Sequence, residues 1–196
     1  MQRLYRGVAW RMDASSKVVY LTFDDGPIPE VTPHILDILA QYGVKATFFM
    51  VAENAERHPD LLARVRAEGH AVGNHTYHHM RGYQSTTKDY VADVQRGADL
   101  LKTTLFRPPH GRMCWSQKKA ILKAGYRIFL WDVLTHDYSA CYTVEKMLNI
   151  VQRCTRNGSI IVMHDSLKSR DRIIHALPLM IEWLHSKGYE LRTLIS

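Results

Sequence analysis

Two adjacent carboxylates, Asp24 and Asp25, close the apolar run YLTF, and Gly26-Pro27 follows at once. Like charges side by side repel and are costly to bury, so such a pair is either solvated or neutralised by a cation such as a metal. Candidate partners for a metal stand further along. The segment GNHTYHHM places His75, His78 and His79 within five residues, and imidazoles three or four positions apart share a face if the segment forms one helical turn. Two imidazoles and one carboxylate make a zinc or other divalent site with positions left open for water and substrate. The segment FRPPHGRM supplies Arg107, a permanent charge able to pair with an acid, among prolines and a glycine that fix the backbone path. LWDVLTHDY offers Trp131, Asp132, His136 and Asp137, and GSIIVMHDS ends in His164 and Asp165. A histidine directly after an apolar run, on the same rim as the acids, suits proton transfer.

These groups need a frame that brings them together. KVVYLTF has the β-branched, apolar character of a buried strand, and Gly26-Pro27 is turn chemistry that stops it. Similar strand-like runs occur at 18–23, 46–51, 71–73, 105–107, 127–133, 159–163 and 190–194, with helical patterns at 32–41, 59–68, 88–102, 116–124, 144–153 and 171–187. Several helices run into a glycine of the kind found past a C-terminus, as in AEG and KAG. About seven strands alternating with helices imply an α/β fold with a parallel sheet. A closed or nearly closed (β/α)-barrel is expected at this count, with an open doubly wound sheet as the alternative. No GxGxxG or Walker loop follows the first strand, which argues against a nucleotide-binding sheet. In either architecture chemistry belongs at the carboxyl ends of the strands, where every cluster above falls.

A chain of 196 residues with 46% hydrophobic content suits one domain with a full core. The expectation is a single domain over 1–196, with 1–16 as a lead-in segment. The net charge of +7 is dispersed. Its densest patch, LKSRDRIIH around residues 168–175, reads as a solvated helix start, and no nucleic-acid motif accompanies it. Cys114, Cys141 and Cys154 lack CxxC or CxxH spacing, so neither a disulfide framework nor a thiolate metal site is expected. No run approaches a membrane span, and MQRLYRGVAWRMD lacks the apolar stretch of a signal peptide; the chain as given reads as cytoplasmic.

Taken together, the clusters resemble the NodB-type polysaccharide deacetylases of carbohydrate esterase family 4. The first family motif matches as Thr22-Phe23-Asp24-Asp25-Gly26-Pro27, and His-Ser/Thr-any-any-His as His75-Thr76-Tyr77-His78-His79. Arg-Pro-Pro-aromatic-Gly is met by Arg107-Pro108-Pro109-His110-Gly111, and apolar-any-His by Val162-Met163-His164. The resemblance implies a distorted barrel in which Asp25, His75 and His79 bind one divalent ion, usually zinc and sometimes cobalt or another metal. His78 falls on a variable position. It further implies Asp24 as general base, Arg107 paired with it, a backbone N–H near His110 for the oxyanion, and His164 as the acid that protonates a departing amine.

The implied activity is metal-dependent removal of N-acetyl groups from an amino sugar, oligosaccharide or polysaccharide, releasing acetate. Two alternatives keep the same site: an O-acetyl esterase or small-amide hydrolase, and a catalytically weak carbohydrate-binding protein. His110 stands where the family usually has Tyr and is expected to touch substrate. Rim aromatics, Trp115 and Trp131 foremost, can stack on sugar rings. The family's Asp-any-any-Asp-Trp motif reads Leu134-Thr135-His136-Asp137-Tyr138 here. Leu134 cannot supply a carboxylate behind the catalytic histidine, which leaves Asp132, Asp137 or Asp165 to do so.

Overall fold

The computed structural model describes residues 7–195. Part of the lead-in segment, residues 1–6, lies outside the described residues. The strands are β1 (Val8–Ala9), β2 (Val18–Asp24), β3 (Thr47–Met50), β4 (Ala71–Asn74), β5 (Leu105–Phe106), β6 (Arg127–Phe129), β7 (Val133–Leu134), β8 (Ile160–His164) and β9 (Glu190–Leu191). The helices are α1 (Thr32–Gln41), α2 (Ala52–Arg57), α3 (Pro59–Ala67), α4 (Thr87–Leu101), α5 (Trp115–Lys123), α6 (Val144–Cys154) and α7 (Arg170–Ser186). Every expected helix is present with ends shifted by no more than a residue or two. The short β1 and α2 had no signal strong enough to separate them from loop.

The strands form one parallel sheet in the order β1-β6-β5-β4-β3-β2-β8-β7, with β9 added beside the start of β2. This order shows why the sheet is a curved half-barrel and not an open layer. β6 and β7 lie near opposite ends of it, yet Phe129 and Val133 are joined by only three residues, which reach roughly 14 Å at full extension. The sheet must curl until its ends approach. The expected single strand at 127–133 is therefore two. Its middle crosses the gap: Leu130 N–H donates to Ala9 O at 2.8 Å and Asp132 N–H to Ile160 O at 3.3 Å. The segment after β1 adds a second tie, Met12 N–H to Gly158 O at 2.8 Å.

Alternation along the strands divides the interior. Val19, Leu21 and Phe23 of β2 and Ile161 and Met163 of β8 face outward to a core shared with α1 and α7, including Ile35, Leu39, Leu177 and Met180. Val18, Tyr20 and Ile160 face inward and pack with Phe49, Leu105 and Phe129. All of β2 is buried, which explains its unbroken apolar run. By the same parity Thr22, Asp24, Val162 and His164 point inward. The barrel interior is apolar at the amino ends of the strands and polar at the carboxyl ends.

Candidate metal and proton-transfer site

Asp25 follows β2 directly, with φ at 85°, and the turn is pinned from behind. Gly26 N–H donates to Asp165 Oδ1 at 2.9 Å, and a Cβ on Gly26 would fall 1.8 Å from Asp165 Oδ2, so only glycine fits. Asn54 Nδ2 on α2 holds the Asp25 carbonyl at 2.9 Å. The Asp25 carboxylate thus faces the loop after β4. His79 Nε2 lies 3.2 Å and His75 Nε2 3.7 Å from Asp25 Oδ1.

The ligand atoms of Asp25, His75 and His79 all lie within 4.8 Å of one another. A tetrahedral divalent ion with bonds near 2.1 Å sets its ligands about 3.3 Å apart, so the triangle fits one with small side-chain rotations. Its donor set, one carboxylate oxygen and two imidazole nitrogens, suits zinc, cobalt and related ions. His75 Nδ1–H donates to Arg107 O at 2.8 Å, which leaves the Nε2 lone pair facing the triangle. Burial pushes the His75 imidazole down to about 4, so it is present as the neutral ligand form. Burial works against the charge of Asp25, but the hydrogen bond from His79 and the neighbouring imidazoles hold its carboxyl well below the usual range.

The helical turn expected for 75–79 is absent. Thr76 and His79 take positive φ of 65° and 54°, and the segment is an irregular loop. This brings His75 and His79 together and sends His78 away, to Asp93 on α4.

Asp24 and Arg107 form a fully buried pair, Nη1 to Oδ1 at 2.7 Å. The guanidinium is held on several sides: it also reaches Thr22 Oγ1 at 2.8 Å, Leu130 O at 3.1 Å and Phe129 O at 3.3 Å, and lies 4.1 Å over the Phe49 ring. The two carbonyls it takes are at the break between β6 and β7. Opposite, His164 Nδ1 meets Asp137 Oδ1 at 2.8 Å, and His164 N–H donates to Asp137 Oδ2 at 2.7 Å. The ring nitrogen left to face the site is Nε2. Burial opposes a charge on His164, yet the Asp137 carboxylate, helped by Asp24 and Asp25, raises its pKa to about 9.

The carboxylate behind His164 is thus Asp137, and Leu134 removes nothing from it. Asp132 is occupied by Ser159 Oγ and the Ile160 amide, and Asp165 by Gly26 and Thr32.

The other expected site residues divide. His110, with φ at 59°, packs its ring 4.9 Å from His79 and borders the triangle. Trp131 is half-buried under Gly111, where a Cβ would come within 2.7 Å of the indole, and lies 5.7 Å from the Arg107 guanidinium. It forms a wall. Trp115 is exposed on the first turn of α5 beneath Lys119, and no described contact joins it to the triangle. Tyr77 is buried, its hydroxyl on Glu56. Tyr138 sets its ring edge-on to His164 at 5.0 Å. Nothing in the sequence points to the Tyr138 contact or to Asp93, since a single acid inside a helix carries no signal.

The polysaccharide deacetylase family model matches residues 11–129. A peptidoglycan-N-acetylglucosamine deacetylase of Bacillus cereus is 34% identical over 95% of this chain and 90% of its own length. A chitooligosaccharide deacetylase of Rhizobium leguminosarum bv. trifolii is 33% identical over 90% of this chain and 89% of its own. The crystal structure of the Bc1960 peptidoglycan N-acetylglucosamine deacetylase superposes with a TM-score of 0.92 at 33% identity, covering 96% of this chain and 91% of that one. With its half-barrel, its ordered motifs and relatives alike along nearly their whole length, the chain belongs to the polysaccharide deacetylase family.

Proposed function

We propose that this protein hydrolyses the N-acetyl amide of an amino sugar within an oligosaccharide or polysaccharide, releasing acetate and a free amine, with zinc as the native metal. One observation carries the reading: Asp24, held by Arg107, and His164, held by Asp137, are register partners at the carboxyl ends of β2 and β8, where Asp25 of the Asp25-His75-His79 triangle also stands. A braced base and a braced acid at a metal site have no use in a protein that only binds sugar. The named activities of the Bacillus and Rhizobium relatives support the substrate class.

The divalent ion, when bound, supplies Lewis acidity toward the acetyl carbonyl and the attacking water. Asp24 accepts the proton that water loses as its oxygen bonds to the carbonyl carbon. The His110 amide is the proposed donor to the resulting oxyanion, since the Gly111 and Arg112 amides are engaged by Pro108 O and Pro109 O. His164 Nε2 gives its proton to the nitrogen as the C–N bond breaks. An amine leaves poorly unless protonated, and a histidine raised to about 9 holds its proton through neutral pH, which favours the amide over the ester reading.

The test is acetate release from N-acetylglucosamine oligomers and peptidoglycan fragments, with O-acetylated sugars in parallel, by zinc-loaded wild type and Asp24→Asn. Release from the N-acetyl substrates that drops by about 10²-fold or more in the variant, at equal zinc content, is expected. Release from O-acetyl sugars alone would overturn the amide assignment.

A further inference from the structure

We infer that Asp93 on α4 is a positioning residue for the metal site: it holds the loop between His75 and His79 in the shape that lets both imidazoles reach Asp25. The inference rests on the metal reading above. Asp93 is buried, and its carboxylate is spent wholly on that loop. Oδ2 accepts from two consecutive amides, Tyr77 N–H at 2.9 Å and His78 N–H at 3.1 Å, while Oδ1 meets His78 Nδ1 at 2.5 Å. All three partners lie between the two candidate ligands.

The loop needs such a brace because it is intrinsically unfavourable. Two of its five residues, Thr76 and His79, are non-glycine residues at positive φ, a conformation that persists only where surroundings over-determine it. The His75 amide still donates to Met50 O at 2.9 Å, but strand pairing goes no further and α4 begins only at Thr87, so the 76–79 amides lie outside strand and α-helix and need other partners. Asp93 supplies two of them at once.

Neighbouring positions on α4 grip the same segment. Val94 O accepts from Asn74 Nδ2 at 2.7 Å, and the Arg96 guanidinium lies 3.5 Å over the Tyr77 ring. Gly97 lets the helix approach: a Cβ there would fall 2.5 Å from Asn74 Oδ1 and 3.2 Å from the Thr76 carbonyl carbon. From the other side, Ala52 N–H and Glu53 N–H at the start of α2 donate to Thr76 O and Tyr77 O at 3.1 and 3.0 Å. The segment is clamped between two helices, and Asp93 is the carboxylate that receives its amides. His78, which lies in the histidine motif without facing the triangle, has its place here.

Zinc affinity of the folded apo-protein, measured by competition with a chromophoric chelator, reads this role separately from fold stability. Partners that orient ligands from behind typically contribute about 10–100-fold in metal affinity. Asp93→Ala is expected to weaken zinc binding by about that factor, and Asp93→Asn, which keeps one acceptor oxygen for the two amides, by about 3–10-fold. A folded Asp93→Ala that melts at a lower temperature but binds zinc within about twofold of wild type would assign Asp93 to stability alone and overturn the inference. If that variant does not fold, Asp93→Asn decides: wild-type affinity overturns the inference, and the intermediate loss supports it. Failure of wild type itself to bind one zinc would overturn the metal reading, and this inference with it.

Discussion

Asp24 and His164 are register partners on neighbouring parallel strands, so the candidate base and acid stand at the same level on the inward face of the barrel. Each is backed by an opposite charge from elsewhere in the fold, Arg107 from beyond β5 and Asp137 from beyond β7. Their separation is set by strand spacing, which side-chain motion can change little.

The His164–Asp137 pair predicts a pH profile. A general acid must be protonated, so kcat/KM falls as pH rises through its pKa, and the alkaline limb should lie near the His164 value of about 9. Asp137→Asn removes the charge that raises it. The limb should then move to lower pH by about one unit or more, with the acidic limb unmoved. Stability carries the same signature: a histidine whose folded pKa is raised stabilises fully below its unfolded pKa, near 6.5, and loses that contribution as pH rises through about 9. The variant should lose stability at pH 6 and little at pH 10, checked by thermal melts at both.

Leu134 makes the opposite prediction from the one its motif position suggests. Restoring a carboxylate there should not raise activity, because Asp137 already bonds both the ring and the backbone amide of His164. Leu134 is half-buried in β7, paired with Val162. Leu134→Asp should leave kcat/KM unchanged or lower and cost about 1–3 kcal/mol of stability, measured by urea unfolding beside acetate release. A gain in kcat/KM would show that the pair is incomplete.

Arg107 is tested by charge and shape separately. Arg107→Met leaves Asp24 buried without its cation and should cost about 3–5 kcal/mol. Arg107→Lys keeps the charge, but one ammonium cannot reach Thr22, Asp24, Phe129 O and Leu130 O in the planar fork that Arg107 uses. It should recover part of the stability while kcat remains at least about tenfold down. Full recovery of both by lysine would reduce Arg107 to a point charge.

What could be read from the sequence was whatever repeats or clusters along it. The helices carried strong periodicity, and the candidate ligands sat in short motifs at strand ends, so both were legible. The division of 127–133 was not, because IFLWDVL is apolar but for Asp132 and the break depends on where Ala9 and Ile160 pass. The irregular path of 75–79 was equally hidden, since two positive φ values at Thr76 and His79 are imposed by α2 and α4 and not by residue type. Asp137 was visible as one of three acids. Choosing it required knowing that Asp132 and Asp165 are already engaged elsewhere.

The strand order also bears on how the chain comes to be folded. Asp25, His75 and His79 belong to β2 and β4 and their loops, early in the chain, and β2 can zip to β3 and β3 to β4 through short crossovers. The far flank of β2 waits for β8, and its first residues for β9, near the end of the chain. During synthesis this strand, buried along its whole length in the finished fold, therefore has one bare edge until translation is almost complete, an interval of exposure that invites mispairing. The three candidate metal ligands share an early-folding neighbourhood, whereas the candidate proton donor arrives with β8, so the candidate site is complete only in a nearly finished molecule.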